Sequence, residues 1–134
     1  MKFNKLIPEL TVSDINDSKK FYTEVLGFKI EYERINDKFA FLSLGEAQLM
    51  IEQINDNWTV GELKYPFGNG INLQIEIDNL DSFVKKVQAK NIILFKDIFT
   101  SYYQCDNVCY MEKEVLIQDP DEYLLRFSET QKSL

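Results

Sequence analysis

Apolar and polar positions recur along this chain in two rhythms, short runs that alternate every second residue and longer runs with helical spacing. Leu6 to Val12 is a strand-like run. Ser13 to Ser18 then offers several residues able to cap a helix, and Phe21, Tyr22, Val25 and Leu26 follow at helical spacing until Gly27. Phe28 to Arg34, Lys38 to Leu44 and Ala47 to Ile54 read as three successive strands, separated by turn residues at Ile35-Asn36-Asp37 and Gly45-Glu46. The first half is therefore βαβββ.

After a loop from Asn55 to Gly70 the pattern begins again, with a strand at Ile71 to Ile77 and a helix from Leu80 to Lys90. Strands are expected at Ile92 to Phe95, near Val108 to Ile117, and at Tyr123 to Phe127, the last preceded by the turn Asp119-Pro120-Asp121-Glu122. Leu10, Val12 and Ile15 recur as Ile75, Ile77 and Leu80, each pair 65 residues apart, close to half of 134. A duplicated βαβββ unit accounts for that order. Alternation also assigns faces. Pro8, Leu10 and Val12 oppose Ile7, Glu9 and Thr11; Leu49 and Ile51 oppose Gln48, Met50 and Glu52. In the second half Leu73, Ile75 and Ile77 oppose Asn72, Gln74 and Glu76, and Leu125 and Phe127 oppose Leu124, Arg126 and Ser128. One face suits packing under helices, while the other, on a curved sheet, would line a cup.

Composition narrows the chemistry. The chain is 45% hydrophobic with 10 Phe, 7 Tyr and 1 Trp, enough apolar surface for one folded core. Its net charge of −7, with lysines scattered, argues against nucleic acid. No run approaches the roughly 20 apolar residues of a membrane span, and the start lacks the apolar stretch of a signal peptide, so a cytoplasmic location and no membrane partner are expected. Cys105 and Cys109 lack the CxxC spacing and read as reduced thiols in an irregular segment. Histidine is absent altogether, which removes Ser-His-Asp and Cys-His catalysis and imidazole metal sites.

The runs Leu10-Thr11-Val12-Ser13-Asp14-Ile15, Phe21-Tyr22-Thr23-Glu24-Val25-Leu26-Gly27-Phe28 and Asp119-Pro120-Asp121 with the strand after it resemble the vicinal oxygen chelate superfamily of glyoxalases, bleomycin-resistance proteins and extradiol dioxygenases. The resemblance spans Leu6 to Glu129. It implies an α+β fold of two tandem βαβββ modules, about residues 5–54 and 70–129 with a linker at 55–69. Their curved mixed sheets would carry helices outside and a ligand cleft on the concave face. Enzymes of the family hold a divalent metal with four residues, and the matching positions here are Ile7, Glu52, Asn72 and Arg126. Ile7 cannot coordinate, Asn72 is a poor ligand and Arg126 repels a cation. No metal, no cofactor and no catalytic residue are therefore expected.

What remains resembles the bleomycin-resistance branch, which implies a homodimer that sequesters an antibiotic-like, cationic or aromatic ligand in clefts at the subunit interface and so confers antibiotic resistance. Glu122 stands where that branch has Gly in its DPDG turn. The alternative is a glyoxalase-type, metal-dependent lyase, isomerase or dioxygenase with Glu52 as base. Candidate ligand-binding residues are Glu52, Arg126, Glu9, Asn72, Gln74, Trp58, Tyr102 and Tyr103. Arg126 either pairs with Glu52 where the metal would sit or is a solvated strand residue. The carboxylates of Glu9, Glu52 and Glu76 either favour a cation or are ordinary solvated acids. The loop aromatics, among them Tyr65, Phe67, Phe95, Phe99 and Tyr110, either stack on a flat ligand or cover the core.

Overall fold

The computed structural model describes residues 1–133, with side chains through residue 131. It is an α+β fold of two βαβββ modules. In the first, β1 (Glu9–Val12) leads to α1 (Ile15–Lys20), which continues as a π-helical turn over Phe21–Val25. Strands β2 (Lys29–Arg34), β3 (Phe39–Leu44) and β4 (Ala47–Gln53) follow. In the second, β5 (Asn72–Glu76) leads to α2 (Leu80–Ala89), and then to β6 (Lys96–Cys105), β7 (Val108–Gln118) and β8 (Leu124–Ser133). The sheet orders are β1-β4-β3-β2 and β5-β8-β7-β6, so corresponding strands hold corresponding places. In each, the outer strand before the helix pairs parallel with the last strand, and the other pairs are antiparallel.

Local chemistry explains the boundaries. Asp14 caps α1, its carboxylate accepting from the amides of Asn16 at 2.9 Å and Asp17 at 3.0 Å. Thr23 donates its hydroxyl back to the Lys19 carbonyl at 2.7 Å, competing with the helical ladder where the turn widens. Gly27, at φ +82°, then lets the chain reverse into β2. Asn79 caps α2 by accepting from the Ser82 amide.

The faces follow the alternation. Leu10, Val12, Ala40, Leu42, Leu49 and Ile51 are buried with Ile15, Tyr22 and Leu26 of the first helical segment. Ile75, Val115, Ile117, Leu125 and Phe127 are buried with Leu80, Val84 and Val87 of α2, and Phe83 lies against Phe127 with ring centroids 4.5 Å apart. Each large side chain removed from water in this way stabilises the fold by roughly 1.5–3 kcal/mol.

By contact, residues 1–67 form one compact unit with 119–122, and residues 68–118 form the other with the chain from Tyr123 onward. The turn at 119–122 thus belongs with the first helix. Tyr22, fully buried, donates its hydroxyl to Asp119 Oδ2 at 2.8 Å, and Asp121 accepts from the Ser13 amide at 2.9 Å and the Tyr65 hydroxyl at 3.2 Å. Glu122 adopts φ +69°, so the backbone keeps the left-handed turn without the glycine.

Two expectations are corrected. Ile92 to Phe95 is not a strand; Asn91 turns the chain at φ +62°, Ile93 is exposed, and pairing begins at Lys96. The aromatic segment 96–105 that follows is not irregular but strand β6, which turns at Asp106 (φ +56°) into β7, the strand expected near Val108 to Ile117, with the exposed Cys105 and Cys109 on these two strands. Its Ile, Phe, Thr and Tyr residues suit a strand better than a loop. Among the described residues no helix is long and apolar enough to cross a membrane.

Candidate functional site

Each unit presents one sheet face opposite its helix, and each face is described by itself. On the first, register places Glu9, Thr11, Met50 and Glu52 beside Phe39, Phe41, Tyr32 and Arg34. Tyr32 stacks on Phe41 with centroids 5.2 Å apart, and the Arg34 guanidinium lies 3.9 Å from the centre of the Phe39 ring. Phe39 and Phe41 are buried on this face, so it is aromatic as well as acidic. Glu52 is buried and accepts from the Asn55 amide at 2.8 Å. Burial, and then the Glu52 charge, raise the pKa of Glu9, while Arg34 pulls it the other way. A cation placed beside these two carboxylates would relieve that repulsion.

Beyond the end of β4 the face opens into a cleft of about 500 Å³ between the turn at 36–38 and the segment 53–58. Glu52 and Trp58 are both in its lining, and Trp58 is 69% exposed. These two sequence candidates are thus brought together.

On the second unit, Arg126 of β8 donates from Nη2 to Glu114 Oε1 of β7 at 2.7 Å, from Nε to the same oxygen at 2.8 Å, and from Nη1 to Asn72 Oδ1 of β5 at 3.2 Å. The carboxylate partner of Arg126 is therefore Glu114 on the neighbouring strand, where the sequence had suggested Glu52. Gln74 Nε2 donates to Glu112 Oε1 at 2.9 Å and to Ser128 Oγ at 3.3 Å. Tyr103 shares this face, stacks on Tyr110 with centroids 5.4 Å apart, and donates to Glu112. Partial desolvation, then the Glu112 charge and that hydrogen bond, raise the Tyr103 pKa. Tyr102 lies on the opposite side of β6, as strand alternation requires, and is exposed.

Glu112 and Glu114, both buried, are the residues that sequence reading missed. They alternate along β7 with Met111, Lys113 and Val115, a pattern that becomes informative once β6 is recognised as the partner strand.

The metal positions of the resembling family can be tested on this chemistry. The first unit supplies Ile7, which has no donor atom, and the single carboxylate of Glu52. The second supplies Asn72, whose amide oxygen is taken by Arg126, and Arg126 itself, a permanent cation already paired. These residues do not fit a divalent ion.

The sequence model of the Glyoxalase/Bleomycin resistance protein/Dioxygenase superfamily matches residues 6–127. Among curated proteins, none matches the chain. Solved structures share its fold. TioX from Micromonospora sp. ML1 is 14% identical with a TM-score of 0.74, covering 95% of this chain and 98% of that one. Virulence protein STM3117 from Salmonella typhimurium is 22% identical with a TM-score of 0.66, covering 96% and 98%. An integron cassette protein from the mobile metagenome of V. cholerae is 21% identical with a TM-score of 0.65, covering 96% and 97%. At these identities the likeness concerns the fold.

Proposed function

Since this chain belongs to the Glyoxalase/Bleomycin resistance protein/Dioxygenase superfamily, and two of its four metal positions hold Ile7 and Arg126, we propose that it binds a small organic molecule without a metal and releases it unchanged. The observation that carries this reading is the Arg126 ion pair. A guanidinium fixed to Glu114 and Asn72 neutralises a buried carboxylate with the protein's own cation, at a position where the family's enzymes present a ligand to an ion.

The ligand class follows from the faces. Glu9 and Glu52 offer negative charge, and Tyr32, Phe39 and Trp58 offer aromatic surface, which together favour a cationic, ring-containing molecule of the bleomycin type. The candidate contacts on the first unit are Glu9, Glu52 and Trp58; the face of the second unit carries its own candidates, Asn72, Gln74, Tyr103 and Arg126. Tyr102, exposed on the opposite side of β6, does not share a face with these contacts, and the homodimer remains what the bleomycin-resistance resemblance implies. Sequestration in the cytoplasm would then protect the cell from the bound compound.

The experiment is calorimetric titration of the purified chain with nickel, zinc and manganese, and separately with a metal-free bleomycin. The expected result is no stoichiometric metal uptake and saturable binding of the drug. Tight one-to-one metal binding would return the chain to glyoxalase-type chemistry, and absence of drug binding would reject the ligand class.

A further inference from the structure

We propose that the cleft between residues 36–38 and 53–58 is a site for an amino sugar, a ligand rich in hydroxyls that also carries a protonated amine. The inference deepens the metal-free binding reading above and rests on it. It starts from the backbone that builds the cleft. The Gln53 amide donates to the Lys38 carbonyl at 3.0 Å, which ties the end of β4 to the turn before β3, and the Ile54 amide donates to the Val12 carbonyl at 2.8 Å, which ties the segment after β4 to the end of β1. Asn55 Oδ1 accepts from the Asn57 amide at 3.0 Å, and Asp56 takes φ +65°, so the following residues are turned back toward Glu52.

The lining decides the ligand class. Asn36, Asp37, Lys38, Asn55 and Asn57 supply amides and charges, and the apolar side chains are two, the Trp58 indole and Ile54. Among the described residues the side-chain amides of Asn36 and Asn57 and the Lys38 ammonium make no hydrogen bond or ion pair. A flat hydrocarbon in this cleft would cover those groups without pairing them, which costs free energy for each one desolvated. A hydroxyl both donates and accepts, so a ring bearing several of them can pair with amides on its edge. Its C–H face can then rest on Trp58.

Charge selects the amine. Asp37 is engaged by Arg34 at 3.2 Å, whereas the buried Glu52 has one hydrogen-bond partner among the described residues, the neutral amide of Asn55. Glu9 stands close enough on the same face for the Glu52 charge to raise its pKa. Among the described residues the two carboxylates without an ion pair, Glu9 and Glu52, outnumber the one unpaired cation of the lining, Lys38, so the unmet charge beside the cleft is on balance negative. An ammonium within hydrogen-bonding reach of Glu52, on the side away from Lys38, would neutralise it.

The test uses a convenience of the sequence, since Trp58 is the only tryptophan and its emission reports on this cleft alone. The full chain is titrated at physiological salt with kanamycin, with maltotriose (hydroxyls without amines) and with spermine (amines without hydroxyls). Kanamycin is expected to shift or quench the emission saturably, with both controls weaker by about tenfold or more. By calorimetry, Glu52→Gln should weaken kanamycin by about tenfold, Trp58→Ala should weaken it by at least as much, and Trp58→Phe should restore most of the loss. Circular dichroism confirms that each variant is folded. The proposal is overturned if kanamycin leaves the emission unchanged up to about 10 mM, if spermine matches it, or if neither Glu52→Gln nor Trp58→Ala alters its heat. Bleomycin binding without a kanamycin response would overturn this site while leaving the metal-free reading intact. Failure of both ligands would overturn this site and reject the bleomycin-type ligand class, while tight one-to-one metal uptake would overturn the metal-free reading itself.

Discussion

Removing one oxygen atom from Tyr22 should cost the fold about 2 kcal/mol. Tyr22 belongs to the Phe21 to Phe28 motif and Asp119 to the Asp-Pro-Asp turn, 97 residues away in sequence, and the two meet through a 2.8 Å hydrogen bond inside the first unit. Tyr22 is wholly buried and Asp119 is 4% exposed, so water cannot replace the donor. The second Asp119 oxygen accepts from the Asp121 amide at 2.9 Å. Tyr22→Phe keeps the edge-on packing against Phe28, at 5.3 Å between centroids, and deletes only the donor. A hydrogen bond to a charged group contributes about 1.5–3 kcal/mol, and a carboxylate left short of a partner bears a desolvation cost of the same order. With an unfolding entropy of about 2.1 cal/mol/K per residue, that loss lowers the melting temperature by about 7 °C. Urea denaturation of the two proteins measures it, with an unchanged slope showing that the unfolded state is the same. A difference below about 0.5 kcal/mol would refute the reasoning, since that is the range of an ordinary surface change.

Three further outcomes are expected. Arg126→Ala should destabilise by about 1–3 kcal/mol, because it leaves the buried Glu114 carboxylate without its cation, and Arg126→Ala combined with Glu114→Gln should recover most of that loss in a double-mutant cycle. For Glu9 the pKa is raised on folding, so the folded state binds its proton more tightly and Glu9 favours folding at low pH. That contribution falls away as pH rises through the raised value. Glu9→Gln should therefore be more stable than the parent at pH 7 and indistinguishable from it well below pH 4.5, as read from urea midpoints across pH. Gly68→Ala should cost about 2–4 kcal/mol, because Gly68 sits at φ +69° and an added Cβ would lie 2.5 Å from the Tyr123 ring; thermal denaturation reads the loss.

Much of the fold was legible in the sequence because its signals are local and repeated. Gly27, the Asp14 cap and the alternation in β1, β4, β5 and β8 each act over a few residues, and the recurrence of Leu10, Val12 and Ile15 at Ile75, Ile77 and Leu80 exposed the duplication. Strand β3 was harder to read for its faces. Its run Phe39-Ala40-Phe41-Leu42 is buried on both sides, so alternation carries no information there, and the aromatic surface made by Phe39, Phe41 and Tyr32 went unseen. Strand β7 lies where a strand is expected near Val108 to Ile117, but β6 carries no such signal, because a tyrosine-rich strand exposed to water lacks a hydrophobic period. With β6 unrecognised, Glu112 and Glu114 had no assigned face, and the carboxylate partner of Arg126 could not be named. Partner choice among polar side chains depends on register between strands, which one strand's sequence does not carry.

The central claim is that this member of the superfamily holds a small organic ligand with its own side chains alone. Calorimetric titration of metal-free bleomycin into chelator-treated protein tests it most directly. Saturable binding, with an affinity unchanged when nickel, zinc or manganese is restored, is the predicted result. Binding that appears only when the divalent ion is returned would contradict it.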